Sequence, residues 1–236
     1  MKKIWLIFPI LCFTFLLSGC ARAIPEKEAA ALLVDHLVYQ KSEKKFTENF
    51  QDGEDLSNAF QTNEQAFQKS FTEGLLADSE IPQAEAEEIA ELLLNQMQKE
   101  ATYEIKEIDD SDTIRHVTYG VKGLDFTGMM AATSEKLVTE LLADETISKD
   151  QDKVVSETVR FLKETIPQTK AKTKAINVML EMKPEKGKWQ IVAGQTEQLN
   201  NLYLAFIAGV SDQEALLAEM TTVMEETAKE VQEQLD

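Results

Sequence analysis

Hydrophobic positions in this chain change their period several times, and each change predicts an element. The first feature is a run: Ile4 to Leu17 is almost purely apolar, with Lys2 and Lys3 before it and small residues leading into Cys20. At about 14 residues the run is short of the ~18 needed for a membrane-spanning helix, and the layout is that of a secretory signal. Beyond it the spacing turns helical. Pro25 suits a first turn, and Ala30, Leu33 and Leu37 recur at helical intervals, which predicts a helix over Glu26 to Gln40. Lys41 to Ser57 is polar, with Phe46 and Phe50 scattered in it and no clear period. Thr62-Asn63-Glu64-Gln65 has the form of a capping box and predicts a helix that places Phe67 and Phe71 on one side. Pro82 opens the next helix, with Ala86, Ile89, Leu93 and Met97 on one stripe.

The period then becomes two. Tyr103 and Ile105 begin a strand, Asp109-Asp110-Ser111-Asp112 is a turn, and Val117, Tyr119 and Val121 alternate with polar or small residues. Two helices follow, over Thr127 to Ala143 and Lys153 to Ile166, the second after another box at Ser148-Lys149-Asp150-Gln151. Ile176, Val178, Leu180 and Met182 then share a strand face, Pro184 to Gly187 turns, and Trp189-Gln190-Ile191-Val192 returns. The tail is helical again. Leu199, Leu202, Tyr203 and Phe206 lead to a stop at Gly209, and a box at Ser211-Asp212-Gln213-Glu214 opens a last helix with Leu217, Met220, Met224, Val231 and Leu235 on its apolar face. The expected fold class is α+β. It has a four-stranded antiparallel sheet over about 101–126 and 170–193, packed helices, a mainly helical N-terminal part (25–100) and a long C-terminal helix.

Leu17-Ser18-Gly19-Cys20 matches the bacterial lipobox, in which the cysteine thiol is alkylated with a diacylglyceryl group and the chain is cut just before it. The expected organisation is a signal peptide at 1–19 and one extracytoplasmic domain at 20–236, held at the outer face of the cell membrane through Cys20. Two acyl chains hold a protein stably at ~0.8 kcal/mol per buried CH₂. The five residues from Cys20 to Pro25 reach only about 17 Å when extended, so the domain sits on the bilayer. Cys12 leaves with the signal, so the exported chain has no disulfide and no cysteine-based metal site. Its charge is −18 with the signal, and loss of Lys2 and Lys3 makes it −20. A body this acidic repels nucleic acid, which sets that partner aside.

Ala101 to Ile108, Val117 to Phe126, Lys174 to Met182 and Gly187-Lys188-Trp189-Gln190-Ile191 together resemble a domain-of-unknown-function family of Gram-positive cell-envelope lipoproteins. Its members carry a lipobox followed by a cystatin-like or nuclear-transport-factor-2-like region. The resemblance implies a location and a fold. It carries over no catalytic residues.

Candidate chemistry in the body is sparse. His36 reads as a core-edge or surface residue of the first helix, and His116 begins a strand with no second histidine in range for zinc. Asp109, Asp110 and Asp112 lack the glycine and closing glutamate of a calcium loop and read as a solvated turn. Nucleophile, zincin and phosphate-loop motifs are missing, so the chain reads as a non-enzyme without a cofactor. Seven lysines between Lys163 and Lys188 face only Glu164, Glu181 and Glu185. Lys170, Lys172 and Lys174 are spaced by two, as on one face of an extended segment. They read as edge protection for a strand, or as a contact for a phosphate-rich polymer or lipid headgroups. Trp189, Tyr119 and Tyr203 are the aromatics placed to border a pocket.

The function expected is a non-catalytic binding or interaction module of the envelope, taking an envelope protein, a peptide or a small ligand. It predicts an apolar cleft between sheet and helices, or an exposed apolar patch. A solute-binding transporter component would need two hinged α/β lobes, and an envelope hydrolase would need converging carboxylates of raised pKa. Phe13 to Gly19 is also similar in character to the short signalling peptides released from some lipoprotein signals.

Overall fold

The computed structural model describes residues 23–76, 81–109 and 113–235. The signal, the Phe13–Gly19 peptide, the lipobox with Cys20, and Asp110, Ser111 and Asp112 lie outside the described residues. So do the side chains of Phe67, Phe71, Val231 and Leu235.

Period-two segments form the sheet as expected. Strands β1 (Thr102–Asp109), β2 (Arg115–Lys122), β3 (Ile176–Glu185) and β4 (Lys188–Ile191) pair antiparallel in the order β1-β2-β3-β4. The register sets Val117 opposite Leu180, Tyr119 opposite Val178 and Val121 opposite Ile176, so apolar side chains of β2 and β3 enter the core together. Between Ile105 and Glu107 the register shifts, leaving Lys106 as an extra residue whose side chain lies over Gly120.

Helix α1 (Glu26–Leu37) lies across this sheet. The Tyr119 hydroxyl donates to the Ala30 carbonyl at 3.0 Å, and the Tyr103 hydroxyl donates to Asp35 at 3.0 Å. Helices α2 (Glu43–Asn49), α3 (Gly53–Leu76) and α4 (Gln83–Glu100) follow, and Ala86, Ile89, Leu93 and Met97 are all buried on α4. Between β2 and β3 come α5 (Phe126–Ala143), α6 (Glu145–Ser148) and α7 (Gln151–Thr165), and after β4 come α8 (Thr196–Ala208) and α9 (Gln213–Leu235). One contiguous hydrophobic cluster runs from Ala29 in α1 to Val210 beyond α8, so the helical 25–100 region shares its core with the sheet. Gly209, at φ +61°, ends α8 in the left-handed conformation that favours glycine.

Several local expectations are corrected. The polar stretch 41–57 contains α2, which exists because Phe46 and Phe50 are four apart, fully buried and stacked at 4.5 Å. The next helix begins at Gly53 and not at Thr62, whose hydroxyl bonds the Asn58 carbonyl at 2.8 Å from within the helix. At the other two boxes a carboxylate caps in place of the serine. Asp150 accepts from the Lys153 N–H, and Asp212 accepts from the Ala215 N–H at 2.8 Å. An ionised carboxylate is a strong acceptor for these first-turn donors and suits the positive helix end.

Helix α9 is rotated from its predicted face. Leu217 and Met224 are 60% and 67% exposed, whereas Ala215 and Leu216 pack on the core and Met220 and Val223 are half-buried. Glu219 sets this rotation, because it reaches inward to accept from Lys172 at 2.6 Å and from the Thr127 hydroxyl at 2.9 Å.

Candidate functional site

A cavity of about 350 Å³ opens where the end of α1 meets α2 and the first turns of α3. Helical spacing brings Ser57, Gln61, Glu64, Gln65 and Gln68 of α3 to its wall, opposite His36, Leu37 and Gln40 of α1 and Glu43 of α2. Apolar residues usually occupy a face that a helix turns toward a neighbour; here the buried Phe60 is joined by a serine, a glutamate and three glutamines. His36 is buried and stacks on Phe46 at 4.3 Å. Its Nε2 is 2.9 Å from the Ser57 hydroxyl and its Nδ1 is 3.3 Å from the Lys41 carbonyl. A carbonyl can only accept, so Nδ1 carries the hydrogen, Nε2 accepts, and Ser57 donates. Burial holds the His36 pKa below its ordinary 6.5, against the opposing pull of the Lys41 carbonyl and Glu43. The side-chain amide of Gln40 donates to Glu64 at 3.1 Å and ties α1 to α3 at the cavity edge. Among the described lining residues there is no lysine or arginine.

A second, more open cleft of about 880 Å³ lies where the chain enters the fold, lined by Ile24, Pro25, Arg115, Pro184 and Trp189 among others. Trp189 is buried and its indole N–H donates to the Ile24 carbonyl at 2.8 Å. Arg115 bonds Glu26 at 3.0 Å beside it. Both hairpin tips lie at this end of the sheet, since Asp109 pairs with His116 and Glu185 pairs with Lys188.

The remaining candidates fall elsewhere. Tyr119 is a fully buried core residue and lines neither of these cavities: with Leu33 and Phe206 it fills the space between sheet and helices where the apolar cleft was expected. Tyr203 is half-buried on α8, with burial raising its hydroxyl pKa. His116 stands 3.6 Å from Glu181, its register partner, and no group of three metal-ligating side chains occurs among the described residues.

Lys170, Lys172 and Lys174 do not share one extended face, because β3 begins only at Ile176 and the backbone bends at Thr173 and Lys174. Lys170 bonds Glu100 at 3.0 Å and holds that carboxyl below its usual range. Lys172 bonds Glu219, and Lys174 is exposed. These lysines precede β3, whose ten residues separate them from the Trp189 end by roughly 30 Å at ~3.3 Å per residue. The α3 cavity went unread in the sequence. Its signal was there, as polar residues recurring at the helical period where apolar ones were sought.

No curated protein matches this chain. Among solved structures, the crystal structure of a candidate lipoprotein (ycdA) from Bacillus subtilis is similar, with TM-score 0.53 and 18% identity over 76% of this chain and 55% of that chain. The chain thus spans about half the length of that protein, and the likeness is one of fold. Residues 21–207 match a family described as a domain of unknown function, DUF5105. That match ends within α8 and leaves α9 outside it.

Proposed function

The chain belongs to the DUF5105 family, and on that footing we propose that it is a lipoprotein anchored through Cys20 on the outer face of the cell membrane, where its body serves as a non-catalytic binding module. The observation that carries this reading is the clamp of Ile24 by Trp189. It fixes the chain four residues after the lipobox cysteine, a reach of only about 14 Å when fully extended. Such a tether suits a module that works against the membrane surface and not on a stalk. Among the described residues no helix is long and apolar enough to cross a membrane, and the lipid would supply the attachment.

Two further observations bear on the alternatives. Four described carboxylates, Glu100, Asp144, Glu164 and Asp212, are held below their usual range by neighbouring donors, so none of these four is tuned as the general acid of a hydrolase. The antiparallel meander also lacks the two hinged lobes of a solute-binding transporter component. Its partner would be the bilayer itself together with an envelope protein, a peptide or a small ligand.

Expression in an export-competent Gram-positive host tests the anchor. Wild type should sediment with membranes and incorporate labelled lipid, and Cys20→Ala should appear in the medium. Equal partitioning of the two would overturn the reading. Crosslinking on intact membranes before solubilisation then identifies what the module holds.

A further inference from the structure

We propose that the cavity between α1, α2 and α3 is a binding site for an uncharged saccharide ring of the N-acetylhexosamine class; this rests on the reading of the chain as a binding module. Its lining has the right chemistry. Gln61, Gln65 and Gln68 on α3 each bring a donor and an acceptor to one space, and Gln40 on α1, whose amide hydrogens go to Glu64, adds an acceptor. A sugar ring likewise presents groups that donate and accept at once, and an N-acetyl substituent adds an amide that pairs with a glutamine side chain. Ser57 adds a hydroxyl whose own hydrogen is committed to His36, which leaves its lone pairs for a ligand donor.

Charge and shape narrow the class. Glu43 and Glu64 line the cavity and no cation does among the described lining residues, so phosphate and carboxylate ligands meet like charge. Both oxygens of Glu64 lie within hydrogen-bonding distance of the Gln40 amide, at 3.3 and 3.1 Å, which holds this carboxylate at the edge with its charge intact, so a polyamine is the competing ligand that the test must exclude. Leu37 and Phe60 supply apolar surface suited to the C–H face of a sugar ring. The volume of about 350 Å³ falls at the lower end of the ~300–1,000 Å³ of small-ligand pockets. That size takes one or two rings and not a folded partner. Gln61 and Gln65 are exposed at the mouth, so a ligand has direct entry.

The test uses the mature lipidated protein in detergent, titrated with N-acetylglucosamine and its β-1,4-linked dimer by calorimetry and by ligand-observed NMR. Spermidine and inorganic phosphate are the contrasting probes. The expected result is saturable binding of the sugar or its dimer, weakened roughly five- to hundredfold in the Gln61→Ala/Gln65→Ala double variant, as the loss of two hydrogen bonds implies. Both positions are exposed, so the variant should melt with wild type. Ser57→Ala is a second variant on the other side of the cavity, and it should weaken the sugar in the same direction. Absence of sugar binding, sugar binding untouched by either variant, or binding of spermidine or phosphate in its place would overturn the assignment. None of those results bears on membrane attachment, which Cys20→Ala tests separately.

Discussion

His36 is a buried side chain held between a carbonyl that can only accept and a hydroxyl that turns to suit, and its burial gives the fold a pH dependence of definite sign. Its pKa in the folded chain lies below the ordinary 6.5, so the unfolded chain takes up its proton first as pH falls. The stability it contributes is therefore complete above about pH 6.5 and is lost progressively as pH drops from there toward the folded pKa. Urea midpoints between pH 7.5 and 5 should fall in wild type and vary less in His36→Gln. The lowered carboxylates Glu100, Asp144, Glu164 and Asp212 act in a separate window near and below pH 4. Trp189 is the other residue with a single decisive bond. Trp189→Phe removes the donor to Ile24 and part of a buried ring system, and it should cost about 1.5–3 kcal/mol in urea unfolding. At this scale the sequence revealed residue types but not partners. His36 could be set at a core edge from Leu33 and Leu37, yet its bond to Ser57, 21 residues on, depends on how α1 and α3 cross.

Among the elements, those that bury one face fully were legible, and those that compromise were not. β2, β3 and α4 show clean periods because one of their sides meets only core. α9 does not: with Glu219 turned inward to Lys172 and Thr127, the helix packs through Leu216, and Leu217 faces solvent. Leu216→Ala should accordingly cost about 1–2 kcal/mol, and Leu217→Ala should stay within about 0.5 kcal/mol of wild type in thermal or urea melts. Capping boxes misled for a related reason, because serine, threonine and aspartate compete for one role and the motif does not say which residue wins. The crossing of the β2–α5 link over the end of α8 is tighter still. A Cβ on Gly123 would collide with the backbone carbonyls of Ala205 and Phe206 and the amide of Gly209, none of which can swing aside. The same crossing carries the bond from the Leu124 N–H to the Phe206 carbonyl at 3.0 Å. Gly123→Ala should destabilise by ~1–3 kcal/mol or more, read by unfolding, with α8 losing hydrogen-exchange protection first.

For the whole molecule, Ile24 and the last described pairs of both hairpins gather at one end of the sheet, and Lys170, Lys172 and Lys174 lie at the other. Signal removal at the proposed lipobox would take Trp5 with it and leave Trp189 as the sole tryptophan of the mature chain. In liposomes carrying dansyl-labelled headgroups, Trp189 should transfer excitation efficiently. A Trp189→Phe/Lys174→Trp variant, with its indole at the far end, should transfer markedly less. Equal transfer would mean that the body lies on its side. The same geometry bears on the lysines, since under the proposed anchor a short tether would keep them away from headgroups and turn them toward whatever fills the space above the bilayer. The clamp also has a mechanical consequence. With the proposed anchor, a pull on the lipid would enter the body at Ile24, where the main chain runs on into α1 and the carbonyl is held sideways by Trp189 of β4, a strand itself held by β3 and by the Gln51 N–H at 2.7 Å. Under load that one side-chain bond is the fuse: it would part before the sheet is strained, while the cavity at the far end of α1 keeps its shape.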